Sequence, residues 1–245
     1  MRFDAVFFDS GGTLFGDGEV VRPTRSEVRD ARAVRLAHCL ESMGHVADAD
    51  RLAELLPPLE QAAPGRFGPT YTYVDLMAAV AEALRLPLPE AEALICADAY
   101  VGPVYRSWLF PGTAETVAAL SAAGLHVGLI SNTYIPGFVA DRMFRGVGLL
   151  RYLQTRVYSG EAGLAKPDPR IFKLAEQRAG LAGQRVLYVG DKPDKDVEPP
   201  RSLGWATALR RSPTAADSSG PADFHFRHTA ELLDFVGCPS RPEPG

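Results

Sequence analysis

The chain has 245 residues, a formal net charge of −4, and 46% hydrophobic and 23% charged residues, which is the profile of a soluble globular protein. This length allows one or two domains of roughly 100–200 residues each. The slightly acidic balance excludes the broad basic surface with which proteins follow nucleic-acid phosphates, so we expect no nucleic-acid partner.

The sequence gives no indication of secretion or membrane insertion. Residues 1–8 lack the basic start and long apolar region of a signal peptide, and no stretch approaches the ~20 apolar residues that cross a membrane. Cys39, Cys96 and Cys238 are odd in number and form no C-x-x-C pair, so neither a disulfide framework nor a zinc site is indicated. We therefore expect a cytoplasmic protein without a membrane partner.

The first predicted element is a buried strand at residues 3–8, which are apolar at nearly every position, as in the middle of a parallel sheet. The segment Ser10-Gly11-Gly12-Thr13 follows directly. Because paired glycines weaken strands, this segment favours a tight turn or a close approach of the backbone to a ligand.

From about residue 16 to about residue 109 the apolar residues recur with helical spacing, as at Leu36 and Leu40. The prolines at 57–58 and from 64 to 69 are expected to break helices, which predicts a unit of roughly four helical segments. We interpret its apolar stripes as the unit's own core rather than as a cofactor pocket.

Beyond residue 110 the sequence alternates between the two element types. The predicted helices are 113–123, about 136–145, 169–179 and about 195–203, and the predicted strands are 125–130, 155–158, 185–190 and 205–209. This spacing predicts βαβ units and therefore an α/β fold with a doubly wound parallel sheet, which also takes in the first strand. Residues 224–227 and a helix from Thr229 are expected to complete it, after a loop at 212–222.

The domain prediction follows from this order of elements. Residues 1–15 and 110–236 form the α/β core, residues 16–109 form an inserted all-helical domain, and residues 237–245 form a flexible tail.

Ligands of open α/β sheets bind at the carboxyl ends of the strands, so the residues delivered there are the candidate site. The predicted strand ends supply Asp9 with Ser10-Gly11-Gly12-Thr13, then Ser131-Asn132-Thr133, then Lys166-Pro167-Asp168, and finally Gly190-Asp191 with Asp196. Carboxylates that converge at one edge repel each other unless a cation lies between them, and such oxygen ligands suit Mg²⁺. With a lysine, hydroxyls and glycine N–H groups nearby, the set indicates phosphoryl transfer.

Considered one at a time, these residues differ in how strongly they indicate a functional role. Asp168 is interpreted as a helix N-cap before a first-turn proline. Lys166 is interpreted as functional because the residues after it fix its direction. Asp191 and Asp196 are also compatible with turn and first-turn helix acids. A purely structural role does not account well for Asp9, because burying an isolated carboxylate at the end of an apolar strand is energetically costly.

These segments resemble the four ordered motifs of the haloacid dehalogenase-like hydrolase superfamily. The resemblance rests on Phe8-Asp9-Ser10-Gly11-Gly12-Thr13-Leu14, Leu129-Ile130-Ser131-Asn132, Lys166-Pro167-Asp168, and Gly190-Asp191 with Asp196. It covers nearly the whole chain, and it implies that the inserted helices are a cap that moves over the core, excludes water and chooses the substrate.

The resemblance also implies roles for these residues. Asp9 is the nucleophile that forms an aspartyl-phosphate, and Lys166 neutralises Asp9 and the transferring group. The phosphate is bound by Gly11, Gly12, Ser131, Asn132 and Lys166, and the metal ion Mg²⁺ by Asp9, the backbone carbonyl of Gly11, Asp191 and Asp196, the last through water or in an outer shell. The implied substrate is a small phosphorylated metabolite.

One position departs from the family's phosphatases. They usually carry a second Asp two residues after the nucleophile, which acts as general acid and base, and here that residue is Gly11. Members that cleave carbon–phosphorus bonds also lack it, but they need a cap lysine, and no lysine precedes Lys166. We rank a phosphatase first, ahead of a 2-haloacid dehalogenase using Asp9, because Asp191 and Asp196 retain the acidic metal motif. A degenerate protein that binds a phosphorylated ligand without turnover is the third alternative.

The insertion offers weaker candidates. Asp17 and Glu19 are the nearest acids that could replace the missing one, although solvated linker charge is the favoured interpretation. Residues that could face the cleft are Arg22, Arg25, Tyr71 and Tyr73, for each of which an ordinary surface or packing role is favoured. The sequence leaves monomer and homodimer open.

Overall fold

The structure, a computed structural model, describes residues 1–16, 22–211 and 221–238. Its strands are β1 Ala5–Phe8, β2 His126–Ser131, β3 Thr155–Tyr158, β4 Val186–Gly190, β5 Ala206–Arg210 and β6 Phe224–Phe226. Its α-helices are α1 Arg25–Asp30, α2 Arg32–Ser42, α3 Ala49–Phe67, α4 Tyr73–Leu84, α5 Glu90–Val101, α6 Thr113–Ala122, α7 Gly137–Gly146, α8 Ser159–Ala162, α9 Arg170–Ala179, α10 Glu198–Ser202 and α11 Glu231–Val236. Short 3₁₀ turns lie at Arg106–Trp108 and Leu150–Tyr152, and a π-type turn lies at Pro193–Val197.

The strands form one parallel sheet in the order β3-β2-β1-β4-β5-β6. The predicted α/β fold with a doubly wound parallel sheet is confirmed. Phe8, the last residue of β1, is level with Leu129 of β2 and Val189 of β4. The carboxyl ends of these three neighbouring strands therefore lie side by side, and the residues that follow them meet at one edge.

Both faces of the sheet are buried, as the apolar β1 sequence predicts. Val6 and Phe8 point into one hydrophobic cluster, and Ala5 and Phe7 into another on the opposite face. Burying a phenylalanine side chain contributes roughly 1.5–3 kcal/mol, so the packing of β1 on both sides holds its carboxyl end firmly in place.

The helices between β1 and α6 have a hydrophobic cluster of their own, built on residues such as Leu36, Leu52, Leu76 and Met77. The interpretation of the apolar stripes as core is therefore confirmed for these side chains. The segment count was wrong, because five helices rather than roughly four lie here among the described residues.

The predicted helix breaks at the prolines were also wrong. Helix α3 runs from Ala49 to Phe67 with Pro57, Pro58 and Pro64 inside it. A proline removes one backbone hydrogen bond from a helix. Here the apolar face, with Leu52 and Leu56 buried, packs in the helical cluster, and this tertiary packing outweighs the local preference.

Two further boundaries differ from prediction. The helix expected at about 195–203 begins with the π-type turn Pro193–Val197 and continues as α10, because adjacent prolines at 199 and 200 cannot donate backbone hydrogen bonds. The prediction of a flexible tail was wrong for Cys238, which is buried in the core and whose N–H donates to the Leu233 carbonyl. Most of the loop predicted at 212–222 and the rest of the tail lie outside the described residues.

Candidate active site

Asp9 stands at the centre of the candidate site, directly after β1 and between the ends of β2 and β4. Its backbone N–H donates to the Val189 carbonyl at 2.8 Å, which continues the sheet by one residue. The side chain is buried, and Lys166 Nζ lies 2.7 Å from Oδ1. Burial raises the pKa of Asp9, an effect that the Lys166 ammonium opposes and the neighbouring Asp196 carboxylate adds to.

Lys166 is held by three oxygen atoms. Its Nζ donates to Asp9 Oδ1, to Asp196 Oδ1 at 2.6 Å and to Tyr188 Oη at 2.8 Å, and the residue is 4% exposed. Burial by itself lowers the pKa of Lys166, but the two carboxylates together raise it above its usual value. The lysine is therefore a fixed cation at the sheet edge.

Tyr188 is a site residue that sequence reasoning missed. It lies in β4 with its side chain buried, accepts from Lys166, and donates from Oη to the Ile130 carbonyl at 3.1 Å. Burial raises the pKa of Tyr188 well above its ordinary value, so the phenol stays protonated. The only signal in the sequence is a tyrosine in an otherwise apolar strand, which usually indicates core packing.

Asn132 fixes the backbone that carries Lys166. Its side-chain nitrogen donates to the Lys166 carbonyl at 2.7 Å, and its side-chain oxygen accepts from the Lys166 N–H at 2.8 Å. Ser131 is buried at the end of β2, one residue before it. The structure brings both residues to the site, and their binding of phosphate stays a prediction.

Asp196 organises the turn after β4. Its Oδ2 accepts from the backbone N–H groups of Asp191 at 3.1 Å and Lys192 at 2.9 Å, while its Oδ1 binds Lys166. The side chain is 1% exposed. The carboxylate that the sequence left open as a first-turn acid is thus both a turn-forming residue and a partner of the catalytic lysine candidate.

Asp191 is a carboxylate of the site with a hydrogen-bond acceptor that is not satisfied. Its Oδ1 is buried and has no hydrogen-bond partner among the described residues. Burial first, and then the Asp9 and Asp196 carboxylates, raise the pKa of Asp191 to about 6. A bound cation would stabilise a buried carboxylate oxygen that has no hydrogen-bond donor and lies next to two other carboxylates.

Three carboxylates could share such a cation. One oxygen each from Asp9, Asp191 and Asp196 lie within 4.8 Å of one another. Gly12 lets the loop approach them, because it has φ +79° and a β-carbon there would overlap the Asp191 carboxylate. Hard oxygen donors at this spacing fit Mg²⁺. The Gly11 carbonyl as a further ligand and the binding of phosphate by Gly11 and Gly12 stay predictions.

Two adjoining spaces open at this edge of the sheet. A recess of about 130 Å³ is lined by Asp9, Lys166 and the acidic cluster, together with Lys192 and Lys195. A larger cavity of about 470 Å³ shares Gly11 and Asn132 with the recess and extends to helices α1 to α5. The site therefore has room for a phosphate and for an organic group attached to it.

The remaining sequence candidates lie elsewhere or are accounted for by packing. Asp168 binds Arg170 through side chain and backbone at the start of α9, which begins one residue later than predicted. Arg22 pairs with Glu27 on the surface. Tyr71 stacks on Tyr134 with ring centroids 4.3 Å apart.

Arg25 and Tyr73 do face the cleft, since both line the larger cavity. Both also have the packing role that the sequence favoured. Tyr73 packs against the helical cluster, with its ring centroid 4.8 Å from that of Tyr100, and the Arg25 guanidinium lies 5.7 Å from the Phe15 ring centroid. Asp17 and Glu19 lie outside the described residues. No helix in the described ranges combines the length and apolar character needed to span a bilayer.

Comparison with known proteins agrees with this geometry. The model of the haloacid dehalogenase-like hydrolase family matches residues 3–204. The chain is 30% identical over 132 residues to the glyceraldehyde 3-phosphate phosphatase of Methanocaldococcus jannaschii, a match covering 52% of this chain and 56% of that protein. It is 33% identical over 148 residues to the phosphoglycolate phosphatase of Escherichia coli, with 58% and 57% covered. The chain spans about half the length of the curated relatives it matches.

Solved structures share the fold over almost the full length. A phosphatase from Thermococcus onnurineus superposes with a TM-score of 0.60 at 20% identity, covering 96% of this chain and 98% of that one. A 2-haloacid dehalogenase from Pseudomonas syringae gives a TM-score of 0.68 at 20% identity, with 96% and 98% covered. With the strand-end motifs assembled at one edge and the family model matching most of its length, the chain belongs to the haloacid dehalogenase-like hydrolase family.

Proposed function

We propose that the protein is a Mg²⁺-dependent phosphatase that hydrolyses a small phosphorylated metabolite through an aspartyl-phosphate on Asp9. The observation that carries this proposal is the Asp191 carboxylate beside Asp9 and Asp196, whose buried oxygen has no hydrogen-bond partner in the described part of the chain. A site with a resident cation accommodates a phosphate dianion. The names of the two phosphatase relatives support the same activity.

Each residue then has a chemical task. Asp9 attacks phosphorus, the bond from phosphorus to the leaving oxygen breaks, and water later hydrolyses the acyl phosphate on Asp9. Lys166 stabilises the negative charge that builds on the phosphoryl oxygens, and Ser131 at the end of β2 and Asn132 directly after it donate hydrogen bonds to them. Asp9, Asp191 and the Gly11 carbonyl would hold Mg²⁺, with Asp196 acting through water or in an outer shell, and the ion would supply charge neutralisation of the phosphate.

Gly11 limits the range of substrates. A general acid and base contributes ~10²–10⁴-fold in rate, or about 3–5 kcal/mol, and glycine cannot provide it. We therefore expect preference for phosphates whose leaving group departs without protonation, such as acyl and aryl phosphates. Alkyl phosphates are expected to react slowly.

The helical insertion completes the site in this proposal. Residues 16–109 act as a cap over the core of residues 1–15 and 110–236. Contacts between the two parts support such a closed arrangement, among them the Tyr73 N–H to Tyr134 carbonyl hydrogen bond at 2.7 Å and the pairing of Arg142 with Asp98. Closure excludes water from the reacting phosphate.

Steady-state hydrolysis tests the proposal. Purified protein is given acetyl phosphate, p-nitrophenyl phosphate, a sugar phosphate and 2-chloropropionate, each with and without Mg²⁺. We expect phosphate release from the first two that requires Mg²⁺ and is lost in Asp9→Asn. The control variant Asp234→Asn changes an exposed carboxylate on α11 and is expected to keep full activity.

Other outcomes would point to the alternatives. Chloride release without Mg²⁺ would assign a dehalogenase. Binding of Mg²⁺ and vanadate without any turnover sensitive to Asp9→Asn would assign a phosphate-ligand-binding protein.

A further inference from the structure

The three N–H groups of the Lys166 ammonium are all in use. They donate to Asp9 Oδ1, Asp196 Oδ1 and Tyr188 Oη. Lys166 therefore contributes its charge to a bound phosphoryl group, but it reaches a phosphoryl oxygen only by exchanging one of these bonds. Ammonium groups that can donate freely to a phosphate have to come from other residues of the recess.

Two other lysines line the same recess. Lys192 directly follows Asp191, and Lys195 lies in the π-type turn Pro193–Val197. Lys192 is exposed and Lys195 is half-buried. Neither side-chain nitrogen has a hydrogen-bond or ion-pair partner among the described residues. In contrast to Lys166, both ammonium groups keep all their donors for a ligand.

The backbone that carries these two lysines is fixed against the site. Asp196 Oδ2 accepts from the N–H groups of Asp191 and Lys192. The Lys192 carbonyl accepts from the N–H groups of Lys195 at 3.1 Å and Asp196 at 2.7 Å. A long, flexible side chain on a fixed backbone lets each ammonium follow an anion in the recess.

The charge of Lys192 already acts on a carboxylate of the site. Burial and the neighbouring Asp9 and Asp196 carboxylates raise the pKa of Asp191, and the positive charge of Lys192 opposes that rise. This lysine is therefore close enough to affect the place where a cation and a phosphate would meet.

The described lining of the recess holds equal numbers of carboxylates and lysines. They are Asp9, Asp191 and Asp196, and Lys166, Lys192 and Lys195. A divalent cation bound there leaves an excess of two positive charges, which matches a phosphate dianion. Without Lys192 and Lys195 the same recess would be neutral once the cation is bound, so these two lysines supply the whole excess.

The size of the recess indicates which part of a substrate the lysines meet. Its volume is about 130 Å³, compared with about 470 Å³ for the adjoining cavity. Neither Lys192 nor Lys195 is among the described residues that line the larger cavity. The lysines therefore face the phosphoryl group and not the organic part of a substrate.

We infer that Lys192 and Lys195 bind the phosphoryl group itself, as two ammonium donors to its outer oxygens on the side formed by the turn after β4. The inference deepens the proposed function, and it rests on that function for the presence of Mg²⁺ and phosphate in the recess. It assigns both lysines as binding residues for a dianionic phosphate, in addition to the charge of Lys166.

Two calorimetric titrations of the full chain test the inference, one with Mg²⁺ alone and one with inorganic phosphate at saturating Mg²⁺. Lys192→Gln and Lys195→Gln are each expected to weaken phosphate binding about threefold to fivefold, and the double variant about tenfold or more. Binding of Mg²⁺ alone is expected to stay equal or become tighter, because a positive charge beside its ligands is removed. Damage to the fold would weaken both ligands together.

Matched variants separate a direct contact from an effect of net charge. Lys192→Arg and Lys195→Arg keep the charge and are expected to hold the phosphate affinity within about twofold of the wild-type value. Lys173→Gln removes the charge of an exposed lysine on α9 and should leave both titrations unchanged.

Unchanged phosphate affinity in the double variant would overturn the inference. Weaker binding of Mg²⁺ alone by the variants would also overturn it, as would an equal loss of phosphate affinity in Lys173→Gln. The same holds if the wild-type chain does not bind phosphate in the presence of Mg²⁺. None of these results depends on turnover, so the proposed phosphatase activity is judged separately by phosphate release from acetyl phosphate.

Discussion

The charged residues of the sheet edge and those of the helical insertion are held in different ways. At the sheet edge Lys166 is 4% exposed and bridges two buried carboxylates. In the insertion Arg32 and Glu60 form a comparable pair, but the Glu60 side chain is 31% exposed. Charges buried as deeply as the first set are costly unless each is partnered, whereas the second set is partly solvated. Burial of charge therefore distinguishes the candidate active site at the sheet edge from the ion pairs of the insertion.

The largest expected effect is at the lysine of the sheet edge. Lys166→Met leaves Asp9 and Asp196 buried without their cation, so we expect the free energy of unfolding without Mg²⁺ to fall by about 3–5 kcal/mol. Phosphate release should fall at least ~10²-fold, because one donor to the phosphoryl group is lost. Urea unfolding and steady-state kinetics measure the two effects.

The comparison of regions supplies the controls for this substitution. Arg32→Met removes the corresponding cation of the insertion and is expected to cost at most about 1 kcal/mol, because that pair is partly exposed. Lys173→Met changes an exposed lysine on α9 and should have no effect. Equal destabilisation by Lys166→Met and Arg32→Met would contradict the distinction between the two regions.

A gain of function is expected at Gly11. A β-carbon at this position would meet no atom of the described residues within 4 Å, and Gly11 borders the cavity into which a longer side chain would extend. Gly11→Asp should raise hydrolysis of an alkyl phosphate by about 10²-fold or more, since it supplies the missing general acid and base. Hydrolysis of p-nitrophenyl phosphate should change less, because its leaving group needs little protonation.

Gly11→Asn is the matched control, being nearly the same size without an ionisable proton. If both variants change the alkyl phosphate rate equally, the effect is steric and the absence of an acid is not what limits the enzyme.

The smallest effect concerns a histidine away from the catalytic edge. His126 begins β2, and its Nε2 lies 2.9 Å from Thr155 Oγ1. Burial lowers the pKa of His126, so the folded state favours the neutral ring. The contribution of neutral His126 to the free energy of unfolding is fully present above the unfolded pKa of about 6.5 and is lost as the pH falls below that value. Because the ring is partly solvated, we expect this loss to be roughly a few tenths of a kcal/mol.

Urea unfolding at about pH 5.5 and pH 7.5 checks this sign, because those values lie on either side of the unfolded histidine pKa. His126→Gln should lose less stability on acidification than the wild-type chain, while its Mg²⁺-dependent phosphate release stays unchanged. A larger acid sensitivity in the variant would reverse the assignment of the neutral form.

The sequence predicted much of the sheet edge because its information is local. Asp9 and Asp191 directly follow apolar strands and Ser131 is the last residue of another, and parallel pairing of those strands is enough to bring them together. Tyr188 was missed for the opposite reason. Its position inside a strand indicates packing, and only the close approach of Lys166 makes it part of the site.

The insertion was predicted less well. The prolines of α3 carry a local preference that packing on the helical cluster overrides, and their effect could not be judged from neighbouring residues alone. The arginines at 25, 29 and 32 had a signal in their spacing, but nothing in the sequence showed that this face borders the cavity and not solvent.

By itself the sequence determined the order of strands and helices, the identity of the residues at the strand ends and the absence of an acid at position 11. The tertiary structure decided which of those residues share a cation or a hydrogen bond, and which helix face meets the cavity. Backbone pairing aligns the strand ends, so the residues that meet there can be predicted from the apolar runs that mark each strand in the sequence. Side-chain partners such as Arg32 and Glu60 are 28 residues apart, and only the packing of whole helices brings them together.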